Sequence, residues 1–390
     1  MGSANRMRHT PCAAFVRRGF TLIELLVVIA IIGILVGLTF NAVARIRLRI
    51  RTQAVQIEIS NMAMALEAYR EKYGEYPPDF TDHNAVIRHI VKVFPYFTCL
   101  ISGSSTPWGG ATTPSAMWSS LQSLITTNWG TSVNINAINP DAALVFWLGG
   151  FKDQNPQSPT YGQLVGFSTN PANPFECNGS LNSNNQWVPG NPRTTLLYDF
   201  NTARLANAPG QSNGSAYWQA YYPDTASGGS PVVANSTATN TFVAAAPPYV
   251  YFRSRGQGTT SLTNSNPISN GYDNVGLTGT AGNGPNGTGP QKYYYTSTVG
   301  GQTVTETVTP YFNSLTSQWM LPTKFQIIAS GFDGLFGTCF QVPLSVQSPW
   351  SSSSAPGLSG PTCNPPYPVP AENDNLTNFT SGALEDYRGN

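Results

Sequence analysis

Apolar side chains run almost unbroken from Leu22 to Phe40, and Glu24 is the only charged residue among them. At 1.5 Å per residue these positions predict a helix of about 28 Å, close to the thickness of a bilayer core. The pattern then changes without breaking. Val55, Ile59, Met62, Leu66, Tyr69 and Tyr73 recur at spacings of four and three, while Gln56, Glu58, Asn61, Glu67, Arg70 and Glu71 fall on the other side. One helix from Phe20 to Tyr73, about 80 Å long, accounts for both stretches. Its first half suits a membrane or the core of an assembly, and its second half suits packing against a folded body. Gly74 supplies the stop, and Pro77-Pro78 keep the helix from resuming.

Beyond Asp79 the patterns are shorter. Asn139-Pro140-Asp141 ahead of Ala142 to Leu148, with Gly149-Gly150 behind, predicts a short helix with an N-cap, a first-turn proline and a glycine stop. Thr194 to Phe200 and Tyr249 to Arg253 alternate as strands do. Lys292 to Val299 and Gln302 to Thr309 flank Gly300-Gly301 and predict a β-hairpin. Phe325 to Ala329 predicts a further apolar strand. Ser254 to Pro290 is dominated by Gly, Asn, Ser and Thr and reads as a long loop or insertion. The fold class expected is α+β, a long N-terminal helix packed on an antiparallel sheet with large loop insertions.

Composition sharpens this picture. Charged residues are only 10% of the 390, and Gly, Pro, Asn, Ser and Thr abound, as in extracytoplasmic proteins. The net charge is +1, yet after Leu100 there are 8 basic and 12 acidic residues, a balance of −4. Such a body is a poor electrostatic trap for nucleic acid, and no nucleic-acid partner is expected. The eight Trp and eighteen Tyr fit either a core between short strands or an exposed carbohydrate-binding face.

Glu24 is the residue that most narrows function. A carboxylate in an apolar run costs a few kcal/mol near a membrane centre and less near an end, so it calls for a cationic partner. Cleavage after Gly19 would provide one, because the new amino group on Phe20 lies one helical turn away. Arg17-Arg18-Gly19-Phe20-Thr21-Leu22-Ile23-Glu24 resembles the processing site of type IV prepilins and type II secretion pseudopilins. The resemblance implies a leader over 1–19, removed by a membrane prepilin peptidase that cuts between Gly19 and Phe20 and methylates Phe20. It also implies that Glu24 guides the subunit into a growing filament. Helix 20–75 would then anchor the chain in the inner membrane, and 76–390 would form a β-rich periplasmic domain. Other pilin or pseudopilin subunits and an inner-membrane assembly platform are the partners implied. Two plainer readings use the same stretch: a secretory signal cut at Ala42-Val43-Ala44, or a simple membrane anchor. Arginines flank the run on both sides, Arg6, Arg8, Arg17 and Arg18 against Arg45, Arg47, Arg49 and Arg51, so charge alone leaves the orientation open.

Five cysteines become four if Cys12 leaves with the leader. An even set in an oxidising compartment suits two disulfides, and of the three connectivities Cys339 with Cys363 and Cys99 with Cys177 is favoured, because the first closes a short loop. Buried free thiols are the alternative. Tyr73-Gly74-Glu75-Tyr76-Pro77 resembles the helix exit of major pseudopilins. The segments around Asp333 and Asp374 resemble their calcium loop, which implies Ca2+ held by Asp333, Asn373, Asp374, Asn375 and the carbonyl near Leu335. Turn formation without a metal is the alternative for the same residues. No catalytic function is expected: Gly210-Gln211-Ser212-Asn213-Gly214 matches a nucleophile elbow in letters only, no His follows His89, and His83 and His89 make no convincing zinc pair. The reading is a secretion pseudopilus subunit first and a type IV pilin second. A membrane-anchored carbohydrate-binding protein that never polymerises is the alternative from another class.

Overall fold

The computed structural model describes residues 22–100, 105–130, 133–206, 218–223, 247–254, 293–299, 302–308, 310–313, 318–330, 336 and 375–380. Helix α1 runs from Leu22 to Tyr73 in one piece. Two compact units divide the chain, Met1–Ile50 and Arg51–Asn390, so the second half of α1 belongs to the same unit as the body. Val55, Ile59, Met62, Leu66 and Tyr69 are buried in that unit's core, the face that the spacing predicts. Gly74 adopts a φ of +81° and returns its N–H to the Arg70 carbonyl at 2.7 Å, the left-handed stop that glycine favours.

Three further α-helices follow among the described residues. Helix α2 spans His83–Val93, capped by the Asp82 carboxylate on the Asn84 N–H at 2.8 Å, and buries Val86, Ile87 and Ile90 with His83 and His89. Helix α3 spans Pro114–Trp129, with Pro114 in the first turn and Gly130 past the last. Helix α4, Ala143–Gly149, lies where a helix is predicted and is buried at every position. Its cap differs from expectation: Ala142 occupies the N-cap without a side-chain bond, because Asn139 serves the turn through its backbone carbonyl, which accepts from both Ala142 and Ala143. Phe146 and Trp147 of α4 pack, mostly edge to face, against Phe80, Phe151, Phe167 and Trp218, which makes the centre of the body an aromatic cluster. Trp118, Trp147 and Trp218 are buried there with their indole N–H groups satisfied by Asn136, Pro78 and Asn134.

The strands are short and form several small sheets where a single sheet is expected from sequence. In chain order they are β1 Gly179–Leu181, β2 Trp187–Pro189, β3 Leu205–Ala206, β4 Ala220–Tyr221, β5 Val250–Arg253, β6 Tyr293–Val299, β7 Gln302–Val308, β8 Phe312–Asn313, β9 Gln318–Trp319, β10 Phe325–Ala329 and β11 Leu376–Thr377. Among the described residues four antiparallel pairs, β1–β2, β3–β4, β6–β7 and β8–β9, accompany one three-stranded sheet in the order β11-β10-β5. Strand β10 is central in that sheet and buried on both faces, which is why its sequence reads as an apolar run without alternation. Phe325, Ile327 and Ala329 join the core that holds α1, while Ile328 joins Val250, Phe252, Tyr293, Val308, Tyr311 and Phe336 on the opposite face. The β6–β7 hairpin pairs Val299 with Gln302, as the glycine pair predicts.

Thr194 to Phe200 is not a strand. Its backbone donors serve separate elements, Thr194 N–H on the Phe167 carbonyl and Leu197 N–H on the Leu148 carbonyl at the end of α4, so no ladder forms. Gly166 explains part of this: its φ is +65°, and a Cβ there would meet the Thr194 carbonyl at 2.4 Å, a closeness only glycine allows.

Candidate functional site

Two regions hold the residues singled out from sequence. The first is the start of α1. Glu24 sits in its first turn, where the positive end of the helix dipole favours a carboxylate. Around it Leu22, Ile29, Ile34 and Val36 are each more than half exposed, and no side chain described before Val55 is buried. Gly19 and Phe20 lie outside the described residues. Among the described residues no helix is long and apolar enough to cross a membrane. The side chains described in this stretch span 22 to 37, about 24 Å as a helix, and the sequence carries the apolar run on to Phe40.

The exit of α1 is locked by polar contacts that the sequence does not announce. Glu75 accepts from His89 Nδ1 at 2.5 Å and Lys92 Nζ at 3.0 Å, with Arg253 at 3.5 Å. Because a carboxylate only accepts, the His89 proton sits on Nδ1, which leaves Nε2 to accept from the buried Tyr69 hydroxyl at 2.8 Å. Burial pushes the Glu75 carboxyl up, but these bonds outweigh it and hold it at about 2. Burial likewise holds His89 below the ordinary imidazole range, against the pull of Glu75. The Tyr-His-Glu chain resembles a proton relay in outline, but Tyr69 and His89 are sealed in the core, so its role is to fix the helix exit. The Pro77 and Pro78 carbonyls are held in turn by the Tyr251 hydroxyl at 2.6 Å and the Trp147 indole at 2.9 Å.

The second region is the C-terminal loop. Strand β11 lies on β10 with Ala329 opposite Leu376, and one more step of that register sets Ser330 opposite Asn375. Asn375 is fully buried; its amide nitrogen donates to the Tyr311 hydroxyl at 2.8 Å and to the Phe336 carbonyl at 2.9 Å. Among the described residues its side-chain oxygen and the buried Ser330 hydroxyl have no hydrogen-bond partner. Both belong to the face that carries Ile328, and both stand where the segments bearing Asp333 and Asp374 begin. Asp333, Leu335, Asn373 and Asp374 lie outside the described residues. Two unsatisfied oxygens at this point fit an oxygen-coordinated cation such as Ca2+. No cluster of three or more His, Cys, Asp or Glu suited to a metal occurs among the described residues.

The loop is also tied to α1. Gln56 donates both amide hydrogens to the loop, to the Thr377 carbonyl at 2.9 Å and the Thr380 carbonyl at 2.7 Å. Asn378 clasps β10, accepting from Ile327 N–H at 2.8 Å and donating to the Phe325 carbonyl at 3.2 Å. The sequence does not announce the roles of Gln56 and Ser330, because they exist only once distant parts of the chain are brought together, Gln56 with Thr377 321 positions on and Ser330 with the strand that carries Leu376.

The expected Cys99–Cys177 disulfide is absent: both are free thiols. Cys99 is buried in the main core with its thiol pushed up to about 12 by burial, and the Cys177 sulfur donates instead to the Gly179 carbonyl at 3.4 Å. Cys339 and Cys363 lie outside the described residues, as do the Gly210–Gly214 stretch and nearly all of the 254–290 loop.

Residues 15–40 match the family model of the prokaryotic N-terminal methylation motif. No curated protein and no solved structure matches the chain.

Proposed function

We propose, from the premise that a chain with the prokaryotic N-terminal methylation motif over residues 15–40 carries the hallmark of type IV prepilins and pseudopilins, that this protein is a non-catalytic filament subunit. The motif implies processing by prepilin peptidase and assembly with other pilin-type subunits. Cleavage between Gly19 and Phe20 and methylation of Phe20 would leave a mature chain whose first segment is apolar on every side. That segment waits in the inner membrane and then packs among its neighbours, with the periplasmic body displayed outside. Glu24 is retained in it to pair with the Phe20 amino terminus of an adjacent subunit. The observation that carries this reading is the motif match on a helix whose side chains from Leu22 to Val36 are exposed and apolar apart from Glu24.

A type II secretion pseudopilus is the finer assignment. It is supported by the Tyr73-Gly74-Glu75-Tyr76-Pro77 exit and by the C-terminal loop, where we assign Ca2+ to Asp333, Asn373, Asp374, Asn375 and the Leu335 carbonyl. The unsatisfied oxygens of Asn375 and Ser330 favour that ion. A type IV pilin for attachment, motility or DNA uptake is the second reading.

Intact mass and N-terminal sequence of the protein from its native membrane test the processing step. A start at methylated Phe20 is expected; a start at Arg45 or an uncut Met1 would overturn it. Loss of export of a folded enzyme on deletion separates a pseudopilus from a pilus, whose deletion would instead remove surface fibres. Melting with and without chelator tests the ion: calcium should stabilise the parental chain, and Asp333→Ala and Asp374→Ala should abolish that difference.

A further inference from the structure

From 154 to 192 the chain carries one charged residue, Glu176, among eight Asn and four Gln. That carboxylate is occupied, accepting from Asn170 at 3.0 Å and Asn191 at 2.6 Å. The stretch contains the β1–β2 hairpin, whose strands pair only with each other among the described residues and whose side chains are half-buried or exposed at every position. Asn182 builds its turn, with the side-chain oxygen accepting from the Asn184 and Gln186 N–H groups at 3.0 and 2.9 Å.

The period of two puts Gly179, Leu181, Trp187 and Pro189 on one face of this hairpin, and Ser180 with Val188 on the other. Trp187 lies against Gly179, where a Cβ would meet its six-membered ring at 2.5 Å, so the missing side chain seats the indole. Trp118, Trp129, Trp147 and Trp218 give their indole N–H to acceptors within the body. Trp187 does not. Among the described residues its N–H has no hydrogen-bond partner, and neither do the side-chain amides of Asn184 and Asn185 in the adjoining turn.

We infer that this face binds a neutral saccharide, a β-linked chain of glucose or N-acetylglucosamine. Each ring of such a chain is flat, with C–H groups on its two faces and hydroxyls around its edge. A half-buried indole flanked by Leu181 and Pro189 matches the faces. Free amides and an indole N–H, which bond without charge, match the edge. The lack of Lys and Arg argues against a nucleic acid, an anionic lipid or an acidic peptide. Leu181, Trp187 and Pro189 together present roughly 400 Å2, against about 800 Å2 per partner in a stable protein interface, so a second protein chain does not fit. The hairpin belongs to the Arg51–Asn390 unit, and sugar binding there is separate from the methylation motif and compatible with assembly.

The test titrates the full chain, in a detergent without a sugar headgroup, with cellohexaose and with chitohexaose by calorimetry. Saturable binding of at least one is expected. Trp187→Ala should weaken it about tenfold, equivalent to about 1.4 kcal/mol. Trp187→Phe should recover part of that loss, and Val188→Ala on the opposite face should leave affinity unchanged. Asn184→Ala, in the exposed turn, should weaken binding about threefold and carries the test if Trp187→Ala does not fold. A parental chain that binds neither hexasaccharide would overturn the inference. So would full affinity in both Trp187→Ala and Asn184→Ala, or a loss in Val188→Ala as large as that in Trp187→Ala.

Discussion

His83 lies flat on the Trp118 indole, ring centroids 3.9 Å apart and 9° from parallel, and neither of its nitrogens is hydrogen-bonded. Burial holds its imidazole down to about 4, against an ordinary 6.5. The unfolded chain therefore binds the proton first: stability is complete above about pH 6.5 and declines as pH falls toward 4, by about 3 kcal/mol at most. His83→Phe keeps the stacking and removes the charge, so its melting temperature should fall less between pH 7 and pH 4.5 than the parental one. Equal slopes would exclude His83 as the cause. Glu75 acts in a lower window, since a carboxyl held at about 2 contributes stability above its unfolded value of 4.5 that is lost only as pH falls toward 2. A second residue-scale lock is the two-toothed pair of Arg204 with Glu58, whose carboxylate also accepts from the Tyr249 hydroxyl at 2.5 Å. Arg204→Met strands a largely buried carboxylate and should cost about 3 kcal/mol in denaturant unfolding, part of it recovered by adding Glu58→Gln. Additive losses in the double variant would show that the pair is not coupled.

At the scale of elements, the two-residue strand β11 is too short to hold itself and depends on side-chain clasps. Gln56→Ala strands the Thr377 and Thr380 carbonyls, and Asn378→Ala strands the Ile327 N–H and the Phe325 carbonyl. Each should cost about 1–3 kcal/mol and raise amide exchange over 376–380 while leaving α2 and α3 protected. Uniform loss of protection would show that the strand unfolds only with the whole body. Which elements can be read from sequence follows from how local their causes are. Helix α1 and the β6–β7 hairpin are legible because apolar period and a glycine pair act within a few residues, and β10 is legible as an apolar run. Helix α2 escapes because two of its five buried side chains are histidines, which read as polar. Helix α3 escapes because Ser, Thr and Gln alternate along it with the buried apolar side chains, and Ser120 itself is buried and bonded to the Trp108 carbonyl. The alternation at Thr194–Phe200 misleads because its donors are captured one at a time by Phe167 and Leu148, a tertiary outcome that no local pattern carries.

For the whole molecule, the division after Ile50 separates two solvation problems. The candidate site divides in the same way: Glu24 and the methylation motif are legible because their chemistry is written in one short run, whereas Gln56 and Ser330 acquire meaning only in the folded body. From Leu22 to Val36 the apolar side chains are exposed, so burial must come from lipid or from other subunits; about 25 cal/mol per Å2 of apolar surface favours either over water. From Val55 onward one face of α1, carrying Val55, Ile59, Met62, Leu66 and Tyr69, is buried within the chain's own body. Deleting residues 1–50 should therefore remove the need for detergent and leave the cooperative unfolding of the rest intact. Its melting temperature by circular dichroism should lie within about 2 °C of that of the full chain in detergent, because no described side chain of the deleted part belongs to the core and a loss of 1 kcal/mol would already move a domain of this size by about 2 °C. A fall of several degrees would mean that the apolar segment stabilises the body as well as anchoring it. An unchanged value would mean that the stability of the body rests on the core that starts at Val55 and not on the apolar segment.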